Sequence, residues 1–174
     1  MLKYEVFSAN TSSQQRLVCV SEGGVGDRQG HRGTFQAGLV RRVARPGAVM
    51  TWIGYLPLQL AQPELQLQLH RFYATTLEPW WPPQRRWVDQ SYAGLPFPGD
   101  EWPFPSDQWI ERQWSLSDLL GYLASWSAVS NARRSGVDPL QALAAELQHD
   151  WPGDGAEVLR VRWPFMGRWG VINA

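Results

Sequence analysis

The sequence has 174 residues and a mass of 19.8 kDa, the size of a single domain that can bury roughly 70% of its unfolded surface without a disulfide or metal staple. Sixteen Lys and Arg balance sixteen Asp and Glu, which removes the basic field that non-specific binding to nucleic acid or an anionic membrane needs. A single cysteine, Cys19, cannot build a disulfide framework or a multi-cysteine zinc site, no stretch reaches the roughly 20 apolar residues of a membrane span, and MLKYEVFSAN has no apolar signal core; the expectation is a soluble cytoplasmic protein.

Residues 2–7, LKYEVF, alternate apolar and polar side chains with the period of a half-buried strand. After the polar ANTSSQQ, RLVCV at 16–20 is a continuous apolar run of the kind that parallel sheets bury on both faces. SEGGVGDRQGHRG at 21–33 carries five Gly and reads as a loop. A helix is expected from Thr34, with Phe35, Leu39 and Val43 on one face, until Pro46 and Gly47 stop it. AVMTWIGY at 48–55 reads as a buried strand.

A second helix is expected over 63–77, opened by Pro63 and presenting Leu65, Leu69, Phe72 and Thr76 on one face. Residues 79–105 are rich in Pro and Trp, with edge-strand material at 100–104. Gln108 to Trp114 reads as a strand. Ser115 with Asp118 approximates a capping box for a helix whose stripe is Leu116, Leu119, Leu120, Leu123 and Trp126. Gly136 breaks that pattern, and Asp138 opens a last helix with Leu140, Leu143, Ala144 and Leu147 on one face. Residues 158–163 and 168–172 read as two strands with a bulge or turn at Pro164 and Gly167. This order defines an α/β fold, with parallel strands joined by crossover helices and an antiparallel C-terminal strand pair.

Eleven tryptophans is an unusual number, and ten of them fall between Trp80 and Trp169. Their rings suit a core, an interface or a cavity wall. Arg85 and Arg86 follow WWPP, where they form either a clamp for an anionic acceptor or a solvated helix face. His70 has no carboxylate or Cys at ligand spacing, Cys19 sits in an apolar strand, and Asp89, Asp118 and Asp138 form no acid–base pair; no metal site, triad or phosphate loop can be assembled. Charge is uneven, with an Arg-rich stretch from Glu22 to Arg45 and an acidic one from Asp100 to Asp118.

Four stretches, RRVARPGAVMTWIGY (41–55), FYATTLEPWWPPQRRWVDQSYAGLPFP (72–98), WSLSDLLGYLASWSAV (114–129) and VRWPFMGRWG (161–170), resemble the Rossmann-like S-adenosylmethionine-dependent methyltransferases, in the branch related to trans-aconitate methyltransferase. The resemblance implies one domain over 1–174, an incomplete Rossmann-like sheet, with a remnant of the central sheet over 1–60 and an acceptor-side half over 61–174. It implies that Tyr55, Trp80, Trp81, Tyr122 and Trp126, with Arg86, line a pocket for a small aromatic or apolar molecule, or else that these rings pack a core. The strand, Gly-rich turn and acidic strand end that hold the cofactor in that family have no counterpart. GGVG at 23–26 lacks the following helix, and Asn10 and Arg16 stand where relatives carry acidic residues.

The implied function is a non-catalytic methyltransferase-like module that binds a small molecule or a protein and needs no cofactor. The alternative is an S-adenosylmethionine-dependent methyltransferase whose cofactor half is supplied elsewhere. Without the first strands, RLVCV lacks a neighbour, which strand one, the Gly-rich loop or a second copy in a homodimer would cover. No nucleic-acid or membrane partner is expected.

Overall fold

The computed structural model describes residues 3–7, 18–21, 42, 44–105 and 107–173. Most of the helix expected from Thr34, the Gly-rich stretch after Ser21 and the whole link between the first two strands lie outside them. The chain divides into two compact units, each discontinuous in sequence. Unit 1 comprises Met1–Leu56, Arg86–Gln108 and Pro164–Ala174; unit 2 comprises Pro57–Arg85 and Trp109–Trp163.

Unit 1 is built on a sheet. Strand β1 (Lys3–Phe7) pairs with β2 (Val18–Ser21) on one edge and β3 (Val49–Tyr55) on the other, and β3 pairs with the C-terminal part of a long strand, β7 (Leu159–Ile172). Strand β5 (Gly99–Trp102) also pairs with β7, through residues 169–172. Residues 169–171 thus have partners on both edges, giving the order β2-β1-β3-β7-β5. The strands expected at 2–7, 16–20, 48–55 and 100–104 are all present, and β1 covers one edge of β2.

Every pairing with a defined register is antiparallel. The α/β composition is as expected, but the parallel connections are not observed: the link from Phe7 to Val18 is shorter than the dozen or more residues a parallel crossover needs. The core of this unit is Met50, Trp52, Tyr92, Met166 and Ile172 with Ala48.

Unit 2 is mostly helical. Strand β4 (Gln59–Leu60) and β6 (Trp109–Trp114) pair with β7, β4 at residues 161–162. Helix α1 (Pro63–Arg71) opens on Pro63, whose missing N–H is one the first turn leaves unpaired anyway. It runs into a π-helical turn (Phe72–Thr76) and a 3₁₀ turn (Glu78–Trp80). A short α2 (Arg85–Asp89) follows in sequence, all but its first residue in unit 1; α3 (Leu116–Ala124), α4 (Ser127–Arg134) and α5 (Leu140–Asp150) complete unit 2. Leu65, Leu69, Leu77, Leu119, Leu123, Val129, Leu143, Leu147 and Val161 form its core. Arg71 and Gln68 of α1 reach Glu146 and Asp150 of α5, both at 2.5 Å.

Local signals account for the helix ends. The Ser115 hydroxyl accepts from the Asp118 N–H, and the Asp118 carboxylate accepts from the Ser115 N–H at 3.0 Å, a reciprocal capping box. Helix α3 nevertheless stops at Ala124. Ser125 donates its hydroxyl to the Tyr122 carbonyl at 2.6 Å, and Trp126 becomes the residue that opens α4 instead of continuing the α3 stripe. Gly136, at φ 83°, ends α4: its N–H donates to Arg133 and that of Val137 to Ala132, the paired bonds of a Schellman motif. Asp138 then accepts from the Leu140 N–H at 3.0 Å, one residue ahead of Pro139, which takes the N-cap position expected for Asp138.

The two C-terminal strands form one. In β7 the buried residues are Leu159, Val161 and Trp163, then Met166, Gly170 and Ile172, so the buried parity changes from odd to even across Pro164 and Phe165. The change falls where the strand passes from unit 2 to unit 1, and the turn expected at Pro164 and Gly167 is not formed.

Two substitutions test these contacts. Leu119→Ala, at a side chain with no exposed surface, is expected to cost about 2–5 kcal/mol. A Cβ at Gly170 would lie 2.0 Å from the Asp100 carbonyl oxygen, so Gly170→Ala must push β5 from β7 and cost about 1–3 kcal/mol. Urea titration followed by circular dichroism measures both.

Candidate functional site

The site of unit 2 starts from an irregular helix. In a continuous α-helix the Leu77 N–H would donate to the Tyr73 carbonyl. Here it donates to Phe72 at 2.9 Å, five residues back. The indole Nε1 of Trp81 donates to the Tyr73 carbonyl instead, at 3.1 Å. The same extra residue moves the buried face on by one position, so Leu77 is buried where Thr76 was expected.

A chain of rings grows from that anchor. Tyr73, Trp81 and Trp126 contact one another with centroids 5.0–5.8 Å apart. Trp126 meets Tyr122 at 5.7 Å, and Tyr122 meets Trp114 and Trp163 at 5.2 and 5.4 Å. Trp163 donates its indole N–H to the Tyr122 hydroxyl at 3.0 Å. Such pairs add about 0.5–1.5 kcal/mol each beyond the area they bury. The Arg85 guanidinium lies 5.1 Å from the Tyr73 centroid and 4.9 Å from that of Trp81, and its Nε donates to the Tyr73 hydroxyl at 2.5 Å.

Beside these rings a groove of about 460 Å³ is lined by Pro79, Trp80, Trp81, Pro82 and Pro83 and, from α4, Asn131, Arg134 and Ser135. Three prolines with fixed φ stiffen one wall. Asn131 ties the two walls together by donating Nδ2 to the Trp80 carbonyl at 2.8 Å. The groove is shallow and open to solvent, with the two indoles and three prolines on one side and polar side chains on the other.

The residues expected from the sequence take separate places. Trp80 and Trp81 line the groove; Trp126 and Tyr122 belong to the ring chain that continues from Trp81. Tyr55 ends β3 in unit 1 with 44% of its surface exposed. Arg85 and Arg86 form no parallel clamp, because consecutive helical residues project about 100° apart. Arg86 lies over Trp87 at 4.6 Å, whereas Arg85 is held by Tyr73 and Trp81. His70 is exposed on α1, Asp89 ends α2, and Cys19 lies in β2. No cluster of His, Cys, Asp and Glu suited to a metal is present among the described residues, nor does any helix among them have the length and apolarity to cross a membrane.

Tyr73, Asn131 and Arg134 were not foreseen. Tyr73 had a faint signal, as an aromatic inside a helix too long for its apolar pattern. Asn131 is 51 residues from Trp80, and no periodicity connects them.

Unit 1 has its own aromatic–cation cluster. Arg168 lies 5.1 Å from the Trp52 centroid and 5.5 Å from that of Phe97, and donates to both carboxylate oxygens of Glu101, at 2.7 and 2.6 Å. It also donates to the carbonyls of Tyr92 and Leu95. The hydrogen bonds from Arg168 hold the Glu101 carboxyl below its ordinary value of 4.5, against a smaller opposing effect of burial. This Arg therefore fastens the 92–101 segment to β7.

The elements fit a methyltransferase-like fold. A solved structure of a proposed type II methyltransferase from Anaeromyxobacter dehalogenans is similar to this chain, with a TM-score of 0.68 and 38% identity over 79% of the chain. The chain spans 58% of the length of that protein. No protein-family model and no curated protein matches.

Two measurements follow from this geometry. Asn131→Ala leaves the Trp80 carbonyl without its donor and is expected to destabilise by about 1–3 kcal/mol, read from the denaturation midpoint. Because the folded-state pKa of Glu101 is depressed, its contribution is full above pH 4.5 and is lost as pH falls through the folded value. Melting temperatures from pH 7 to 2.5 should fall less steeply in Glu101→Gln than in the parent chain.

Proposed function

We propose that this chain is a methyltransferase-like module that holds a small aromatic or apolar molecule in the unit 2 groove and does not transfer methyl groups by itself. The preformed groove carries this reading: Trp80 and Trp81 line it, and the Asn131 hydrogen bond keeps its walls in register without a ligand. Preorganisation of this kind lowers the ordering cost of binding. The sequence supports the non-catalytic part. Asn10, Arg16 and the Gly-rich 21–30 replace residues that hold and surround the cofactor in the trans-aconitate methyltransferase branch, to which the four resembling segments point. Without a donor held in line, proximity contributes nothing to methyl transfer.

A second reading has one observation in its favour. The neighbour is a proposed methyltransferase, and this chain spans 58% of it, so the remaining portion, supplied elsewhere, would create an S-adenosylmethionine-dependent enzyme with this groove on its acceptor side. A homodimer in the cytoplasm completes the first reading, with the edge of β2 that has no partner strand among the described residues as the surface the second copy would cover.

Calorimetric titration of the full chain with S-adenosylmethionine, S-adenosylhomocysteine and 2-naphthylmethanol separates these readings. The expected result is heat of binding from the naphthyl compound alone. Micromolar binding of either adenosyl compound would install the methyltransferase reading, and silence from all three and from naphthalene-2-carboxylate as well would remove the small-molecule role. Sedimentation at micromolar concentration tests the dimer, which a monomer would sink.

A further inference from the structure

The polar groups around the groove are unequal in what they leave open. Asn131 is engaged at both ends, donating to the Trp80 carbonyl and accepting from the Arg134 guanidinium. Ser135 directs its hydroxyl to the Asn131 carbonyl at 3.4 Å. Arg134 uses Nε on the Ser130 carbonyl and Nη2 on Asn131, and Nη1 has no protein acceptor among the described residues. The Trp80 indole N–H likewise has none among them. The nitrogen groups left open at this groove among the described residues are therefore donors, one of them carrying a full positive charge, while the Ser135 oxygen can still accept.

No acidic residue lines the groove. The adjacent Arg133 is paired with Asp138 at 3.2 Å, which leaves Arg134 as the cation at this end of α4 with no ion-pair partner among the described residues. Asn131 and Ser130 hold its guanidinium on one side, so an arriving anion would meet a partly oriented fork and not a free, flexible side chain. Arg85, the cation that the sequence placed beside the two tryptophans, is already stacked on Tyr73 and Trp81.

We propose, resting on the small-molecule reading above, that the ligand class of this groove is a planar aromatic anion, its ring against Trp80, Trp81 and the prolines and its carboxylate on Arg134. An aromatic body matches the Trp and Pro side chains of a lining that is otherwise polar, and the negative group matches the open donors. Neutral aromatic molecules are then weaker ligands of the same surface, lacking a partner for Arg134.

Naphthalene-2-carboxylate and its neutral twin 2-naphthylmethanol, titrated into the full chain at low salt, test the assignment. The carboxylate is expected to bind at least fivefold more tightly. That preference should disappear in Arg134→Gln, where the two compounds bind alike, and return in Arg134→Lys, which restores the charge. Equal affinities in the parent chain, or a preference that survives Arg134→Gln, would overturn the anion assignment and leave the aromatic reading standing. Failure of both compounds to bind would overturn the two together. Far-ultraviolet circular dichroism confirms that each variant is folded; Arg134 is exposed, so its replacement removes no core contact.

Discussion

The aromatic architecture of unit 2 depends on one diverted hydrogen bond. The Leu77 N–H reaches Phe72 instead of Tyr73, and the carbonyl thus released accepts the indole of Trp81. A π-helical turn is a poor way to continue a helix, and such turns are frequent where a structure needs an irregular backbone for another purpose. Here the turn brings Tyr73 against Trp81 and Trp126, and the same Tyr73 hydroxyl receives Arg85. A regular helix over the same residues would bury Thr76 in place of Leu77 and leave Trp81 without its anchor. The groove beside Trp81 thus traces back to the register of one amide.

What could be read from the sequence was mostly what a short stretch decides by itself. The Ser115 and Asp118 pair declares its helix start within four residues, and Gly136 declares a helix end because a left-handed backbone position favours it. Leu65, Leu69 and Phe72 keep helical spacing and are buried together. The strands of unit 1 were visible through alternation and apolar runs. Their antiparallel pairing was not, because period-two patterning fixes which face is buried and says nothing about the direction of the neighbour.

The site was legible in composition and hidden in arrangement. Trp80 and Trp81 were evident as residues that suit a cavity wall, but the partner that holds Trp80 is an ordinary-looking Asn on a helix 51 positions away. The two arginines after WWPP looked like a matched pair. Helical geometry separates them, stacking Arg85 on Tyr73 and Trp81 in unit 2 and placing Arg86 over Trp87 in unit 1. Arg168 was hidden for the same reason. Its work consists of contacts with Trp52, Phe97 and Glu101, all at least 67 residues away, so nothing in its own neighbourhood announces it.

The ring chain also constrains how this sequence can drift. Tyr73, Trp81, Trp126 and Tyr122 each touch at least two other rings of the cluster, and Trp163 touches both Tyr122 and Trp114. Residues in mutual contact do not contribute independently. A ring lost at one position changes what its neighbours are worth, so a second replacement meets an altered background. Related chains should therefore exchange these aromatics in groups: where Trp126 is replaced, Trp81 or Tyr122 should change with it, and the inheritance of tryptophan across this unit becomes a collective property of the cluster.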